Sequence, residues 1–187
     1  MEIVDYLVAE DRQLVQLALG GDDTAFEYLF NRYRDAILRL LAQRAGSADD
    51  AEDLLQETFI KVYLNINRYD SEYTFGQWVY TIARNTFIDF TRKSRSDLPI
   101  DERFSSPATT APTPEESIIN SQQRNQIDHY LEQLPEQYND LFKLRFLDEY
   151  SYEEIAEKLH LPMGTVKTRI HRARERMCQM ITEGENN

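Results

Sequence analysis

Five cations crowd one short segment of an otherwise acidic chain. Between Gly164 and Arg176 stand Lys167, Arg169, Arg172, Arg174 and Arg176, against a single acid, Glu175. Over all 187 residues the formal net charge is -12. Cations at helical spacing neutralise phosphates and, where they reach a groove, donate to base edges. A chain this negative is repelled by nucleic acid as a whole, so any such binding has to be local. The rest of the acidic surface serves solubility or a basic protein partner.

The elements that position these cations are legible in the same region. Ser151-Tyr-Glu-Glu154 is a capping box, with Ser151 as N-cap and Glu154 three residues on. Ile155, Ala156 and Leu159 form the inner face of the helix it opens, Ala156 being small where two helices cross. Pro162-Met-Gly164 is expected to turn the chain, and Thr165 to cap the second helix. Val166, Ile170 and Ala173 then point inward. That leaves Lys167, Thr168, His171 and Arg172 outward near the helix start, where a helix-turn-helix reads base edges. Thr165, Arg169, Arg174 and Arg176 suit phosphate contacts. A helical hairpin with a solvated basic face is the plainer alternative, and the cap, turn, crossing residue and clustered cations together favour DNA binding.

Helical periodicity runs through the remainder. After the cap candidate Asp22 come Phe26, Leu29, Phe30, Tyr33, Ile37, Leu40 and Leu41 on one face. Gly46-Ser47 breaks that helix, and Ser47 can cap the next, whose apolar face is Leu54, Leu55, Phe59, Val62, Tyr63 and Ile66. Asn67 to Thr74 is polar and turn-like. A further helix carries Phe75, Trp78, Val79, Ile82, Ala83, Phe87, Ile88 and Phe90, with Trp78 read as a packing residue. Asp97 to Pro114 is rich in Pro, Ser, Thr and Ala and reads as a tether. Helical pattern returns near Glu115. The expected fold class is all-α: two small helical domains joined by a flexible linker, at 1-96, 97-120 and 121-187.

Other chemistry is disfavoured. There is no Gly-rich phosphate loop, no nucleophile elbow and no metal-ligand spacing, so neither an enzyme nor a cofactor is expected. His129, His160 and His171 are scattered without ligand partners. The single Cys178 leaves no internal disulfide. No apolar run approaches the roughly 20 residues of a membrane helix, and the start of the chain is no signal peptide. The expected location is the cytoplasm.

The segments Leu134-Pro-Glu-Gln-Tyr-Asn-Asp-Leu-Phe-Lys-Leu-Arg145, Ser151 to Ala156 and Pro162 to Arg174 resemble region four of bacterial extracytoplasmic-function (ECF) sigma factors of the sigma-70 family. Asp50-Ala-Glu-Asp-Leu-Leu-Gln-Glu-Thr-Phe-Ile-Lys-Val-Tyr63 is similar to that family's polymerase-docking helix, and Phe75 to Asp89 to its promoter-melting helix. The resemblance spans nearly everything except the linker and the termini.

What the resemblance implies is a two-headed promoter reader. Asp50, Glu52, Asp53, Leu54, Gln56, Glu57 and Phe59 would contact core RNA polymerase. An acidic stripe about an apolar centre suits a basic helical partner and speeds encounter. Asn67, Arg68, Tyr69, Ser71, Tyr73, Arg84, Asn85 and Asp89 would read the single-stranded downstream (minus ten) promoter element, with Arg92, Lys93 and Arg95 for phosphates. Lys167, Thr168, His171 and Arg172 would read the duplex upstream (minus thirty-five) element. The linker acids Asp97, Asp101, Glu102, Glu115 and Glu116 could mimic nucleic acid on the polymerase. Regulation is expected from outside the chain, through an anti-sigma factor that in the family is often membrane-bound. A stand-alone helix-turn-helix regulator is the competing reading. It leaves the acidic helix and the aromatic helix without a task, and DNA binding without polymerase would favour it.

Overall fold

The computed structural model describes residues 4–94 and 114–183, and side chains at 4–92 and 123–183. The described residues form eight α-helices and no strand. The first unit holds α1 (Asp11–Leu19), α2 (Asp23–Ala42), α3 (Ala48–Asn65) and α4 (Phe75–Ser94). The second holds α5 (Pro114–Gln133), α6 (Glu136–Phe142), α7 (Tyr152–Leu159) and α8 (Met163–Glu183).

 Side-chain caps start several of these helices. The Asp22 carboxylate accepts from the Ala25 N–H at 3.2 Å and the Ser47 hydroxyl from the Asp50 N–H at 3.1 Å, so both expected caps hold. α4 has a reciprocal box of its own. The Gln77 N–H donates to the Thr74 hydroxyl and the Thr74 N–H to the Gln77 side chain, each at 3.2 Å.

Helix α1 is absent from the sequence reading. It buries Leu14, Val15 and Ala18 against α2. Arg32 of α2 donates to the Asp11 carboxylate at 2.7 Å and to the Ala9 carbonyl at 3.1 Å, and the Tyr33 hydroxyl donates to Asp11. The core of the first unit is Phe26, Leu29, Ile37 and Leu41 from α2, Leu54, Leu55, Phe59, Ile60 and Val62 from α3, and Phe75, Val79 and Ala83 from α4. Phe30 and Phe59 meet edge to face at 4.8 Å, a geometry the ring quadrupole favours. Trp78 is half-buried and packs on Tyr69 and Phe75, in keeping with a packing role.

The expected linker differs at its end. α5 begins at Pro114, so residues 114–120 are helical; proline is well tolerated in a first helical turn, where its missing N–H has no partner to lose. Arg95, Asp97, Asp101 and Glu102 lie outside the described residues. Nor are the side chains of Lys93, Glu115 and Glu116 described.

Beyond α6 the chain makes a π-helical turn at Lys143–Leu147, where the Asp148 N–H reaches back to the Lys143 carbonyl at 3.0 Å. The helix-turn-helix has a small core of Leu141, Leu144, Ile155, Val166 and Ile170. The larger core is continuous between the two units. Tyr130, Leu131 and Leu134 of α5, with Ala173, Met177, Cys178 and Ile181 of α8, join the cluster built by α2 and α3. The buried Gln123 side chain of α5 donates to the Tyr63 carbonyl of α3 at 2.6 Å.

Candidate nucleic-acid and polymerase interfaces

Helix α8 is set by α7, and α7 by its capping box. The Ser151 N–H donates to the Glu154 carboxylate at 2.7 Å, and the Glu154 N–H to the Ser151 hydroxyl at 3.2 Å. These bonds to Ser151 hold the Glu154 carboxyl below its ordinary pKa. Ile155, Val166, Ile170 and Ala173 are fully buried, while Ala156 and Leu159 are partly buried, as the inner-face pattern requires.

The turn itself is corrected. His160 adopts the left-handed conformation at φ 52°, and Pro162 lies before the helix. α8 therefore starts at Met163, with Gly164 and Thr165 already inside its first turn. Thr165 is not the cap. The chain reversal is made at His160, and a side chain at Gly164 would meet open space. Earlier onset of α8 leaves the outward register unchanged: Lys167, Thr168 and Arg172 are exposed. The Thr168 hydroxyl donates to the Gly164 carbonyl at 2.9 Å, which leaves its lone pairs for an incoming donor. Thr165 and Arg169 are half-buried, and Arg176 is exposed, its guanidinium 5.4 Å from the centre of the Tyr138 ring.

Two of the expected DNA contacts are engaged elsewhere. Arg174 is only 6% exposed and turns into the seam between the units. Its guanidinium lies 3.2 Å from the Asp53 carboxylate and 3.8 Å from that of Glu57, both on α3. His171, also at the seam, lies 3.6 Å from Asp53 and 3.3 Å from Glu175. Arg174 therefore faces protein carboxylates in this conformation rather than solvent. Sequence spacing missed this because the partner lies on a remote helix.

The acidic face of α3 is thus covered in part. Asp50, Glu52, Asp53, Gln56 and Glu57 are all partly buried. Glu57 is held by Lys61 at 3.1 Å and by Arg145 of the π-helical turn at 3.3 Å, as well as by Arg174. Burial pushes its carboxyl up, but Lys61, Arg145 and Arg174 outweigh burial and hold it below the ordinary value. Leu54 and Phe59 depart from the expected polymerase contact. They are 3% and 0% exposed, so they belong to the core of the first unit and present no apolar centre to a partner in this conformation. Arg145 is a participant that the sequence reading did not single out.

The Asn67–Thr74 segment starts in a single 3-10 turn at Ile66–Arg68. Asn67, Arg68, Ser71 and Tyr73 are exposed. Tyr69 is more constrained: its ring packs against Phe75 and Trp78, and its hydroxyl donates to the Tyr73 carbonyl at 2.6 Å. It braces the loop, which leaves Tyr73 as the exposed aromatic there. On α4, Arg84 and Asn85 are half-buried and Asp89 is exposed, 4.0 Å from the Lys61 ammonium. Arg92 is half-buried. Among the described residues no group of His, Cys, Asp and Glu could hold a metal ion, and no helix is long and apolar enough to cross a membrane.

Two helical units, one ending in a capped helix-turn-helix with a cationic outer face, define a protein of the sigma-70 type. Residues 29–96 match the family model for sigma-70 region 2, and residues 124–177 that for sigma-70 region 4. The chain is 35% identical over 172 residues to the ECF RNA polymerase sigma factor SigW of Bacillus subtilis, covering 87% of this chain and 92% of that protein. It is 34% identical over 174 residues to the ECF RNA polymerase sigma-E factor of Haemophilus influenzae, covering 88% and 92%. The chain belongs to the ECF sigma factors, which direct transcription initiation by RNA polymerase and are not themselves enzymes. Among solved structures, Rhodobacter sphaeroides SigE in complex with the anti-sigma ChrR is similar at 26% identity and a TM-score of 0.41, covering 95% of this chain and 99% of that one.

Proposed function

We propose that the two units divide promoter recognition between them, with a first unit at 1-96, a linker beginning at 97 and a second unit reaching 187. α8 reads the upstream element as duplex. The observation that carries this is the exposure of Lys167, Thr168 and Arg172 together on the outer face of a helix whose inner face is locked by Ile155, Val166 and Ile170. His171 joins them once the seam opens. Thr165, Arg169 and Arg176 lie along the same helix for the flanking phosphates, and Arg174 joins them on release from Asp53 and Glu57.

The loop from Asn67 to Thr74 takes the downstream element as a single strand. Extruding a base costs a few kcal/mol and needs stacking and edge hydrogen bonds in return. Tyr73 offers the stacking surface; Asn67, Arg68 and Ser71 offer donors and acceptors. Arg84, Asn85 and Asp89 line the following helix. The acidic face of α3 docks on core RNA polymerase through Asp50, Glu52, Asp53, Gln56 and Glu57. An anti-sigma factor is a further partner on this reading, and the cytoplasm is where it acts.

Transcription in vitro tests the proposal. The protein is combined with core polymerase and a pool of genomic fragments, and the transcripts are sequenced. Discrete starts that share two spaced upstream motifs and vanish without the protein are expected. Duplex binding by the protein alone, with no starts and no association with core polymerase, would instead mark a stand-alone regulator.

A further inference from the structure

Helix α1 touches the 3-10 turn at Ile66–Arg68 that opens the Asn67–Thr74 loop. One carboxylate ties it to α2. Asp11, in the first turn of α1, divides its two oxygens between neighbours: one takes the Arg32 guanidinium at 2.7 Å, the other the Tyr33 hydroxyl. Arg32 also donates to the Ala9 carbonyl at 3.1 Å, which fixes the start of α1 on α2. Burial, and then the bond to Asp11, raise the Tyr33 hydroxyl above its ordinary range, so it stays a protonated donor.

From Tyr33 the contacts run on to the loop. Its ring lies 5.6 Å from that of Phe75, centre to centre, at the start of α4. Phe75 meets Tyr69 edge to face at 5.4 Å, and the Tyr69 hydroxyl donates to the Tyr73 carbonyl at 2.6 Å. Gly76 makes the approach of Tyr33 possible. A Cβ there would lie 2.9 Å from Tyr33 Cε1 and 3.5 Å from its hydroxyl oxygen. A methyl group would force the ring aside, and the ring cannot swing away without leaving Asp11.

We infer that Asp11 and Tyr33 are positioning residues for base capture by the Asn67–Thr74 loop, acting through Phe75, Gly76 and Tyr69 to set the Tyr73 end of that loop. This rests on the reading of the loop as the binder of the downstream single strand. Tyr33 is half-buried with its hydroxyl engaged, so it acts through its neighbours and not on the strand. Tyr73 is 60% exposed and is held by its backbone carbonyl. Its ring stays open to a base, while the placement of its backbone depends on Tyr69. Extruding a base is repaid by stacking and edge hydrogen bonds, and a loop that must first be ordered gives back part of that gain. Phosphate contacts are less directional and tolerate a looser loop. Loss of the Asp11–Tyr33 bond should therefore weaken base capture and spare the backbone contacts.

The test is binding of fluorescent single strands by the full chain in complex with core polymerase. One strand carries the downstream motif shared by the transcribed starts. The other has abasic sites in place of the motif's bases and keeps its phosphates. The wild-type complex is expected to prefer the first by about tenfold or more, since capture gains stacking and edge bonds. Tyr33→Phe removes one hydroxyl and keeps the ring. It should cut that preference about three- to tenfold, the range of one lost hydrogen bond, with binding of the abasic strand and of core polymerase unchanged. Gly76→Ala should cut it similarly. Asp11→Asn, whose amide oxygen still accepts from the hydroxyl, should keep more of it than Asp11→Ala. Asp11→Ala added to Tyr33→Phe should lower it no further than either alone, as for two members of one contact chain. A merely stabilising role would lower Tm and leave the preference at its wild-type value. That result for Tyr33→Phe overturns the inference whatever becomes of Gly76→Ala, and so do equal losses on both strands. If the wild-type complex shows no preference, the loop's assignment fails and the positioning role with it. A wild-type preference that Tyr33→Phe leaves intact defeats the positioning role alone.

Discussion

Arg174 of α8 lies 3.2 Å from Asp53 of α3, so a residue suited to DNA phosphate is paired with one suited to polymerase. Its side chain is only 7% exposed, whereas that of Asp53 is 40% exposed. Release of the pair therefore gains solvation chiefly for the arginine. On the proposed function, opening need not leave either charge uncompensated, because polymerase would offer Asp53 a replacement partner and DNA would offer one to Arg174. A seam of this kind favours partner exchange over permanent closure.

Acid should loosen the seam through Glu57. Its folded pKa is depressed, so its contribution is present above the unfolded value of about 4.3 and is lost as pH falls through the lower folded value. Burial keeps the Tyr152 hydroxyl neutral over that range. Energy transfer between dyes on the two units is expected to fall in acid below the ordinary carboxylate range. A loss centred near neutrality would assign the seam's pH response to another group.

Arg172→Ala should weaken binding to the cognate upstream element by about 1–3 kcal/mol more than binding to random duplex. Arg169→Ala should instead weaken both alike and reduce the salt dependence by about one counterion. Competition titrations at several salt concentrations separate the two. Equal losses for Arg172→Ala on both duplexes would remove it from the base readers.

Ile170 anchors α8 in the helix-turn-helix core at 0% exposure. Ile170→Ala should cost about 2–5 kcal/mol through lost burial and the cavity left behind. Urea unfolding checks this, and a loss below 1 kcal/mol would contradict the packing described.

Much of this was legible locally. Asp22, Ser47 and the Ser151–Glu154 box announce helix starts because a cap is a contact between near neighbours in sequence. The inward set Ile155, Val166, Ile170 and Ala173 follows from the helical period. Helix α1 escaped because it is short and follows Glu10, which lies outside the strongly preferred capping residues. The turn escaped because His160 takes a left-handed conformation uncommon for a residue with a side chain, where the sequence points to Pro162-Met-Gly164. Leu54 and Phe59 could not be divided between core and surface by pattern, since an apolar residue on an amphipathic helix serves either. The Arg174–Asp53 pairing had no local signature at all, because it depends on how the two units meet.

The Thr74–Gln77 box gives the Asn67–Thr74 loop a fixed end. Thr74→Ala should lower stability by about 1 kcal/mol. It should slow promoter opening more than it weakens duplex binding, because the loosened segment is the one assigned to the unpaired strand. Permanganate footprinting follows the opening. Unchanged opening kinetics would detach this loop from strand capture.

The proposed function sets the two units on separate promoter elements, whereas α3 and α8 touch in this structure. Its most direct test is the distance between α3 and α7 in each state. Dyes are placed at Asp49 and Glu153, both exposed, in a Cys178→Ser background. Efficient energy transfer is expected in the free protein and near loss of transfer in the complex with core polymerase and promoter. Transfer that stays high on the transcribing complex would contradict the account.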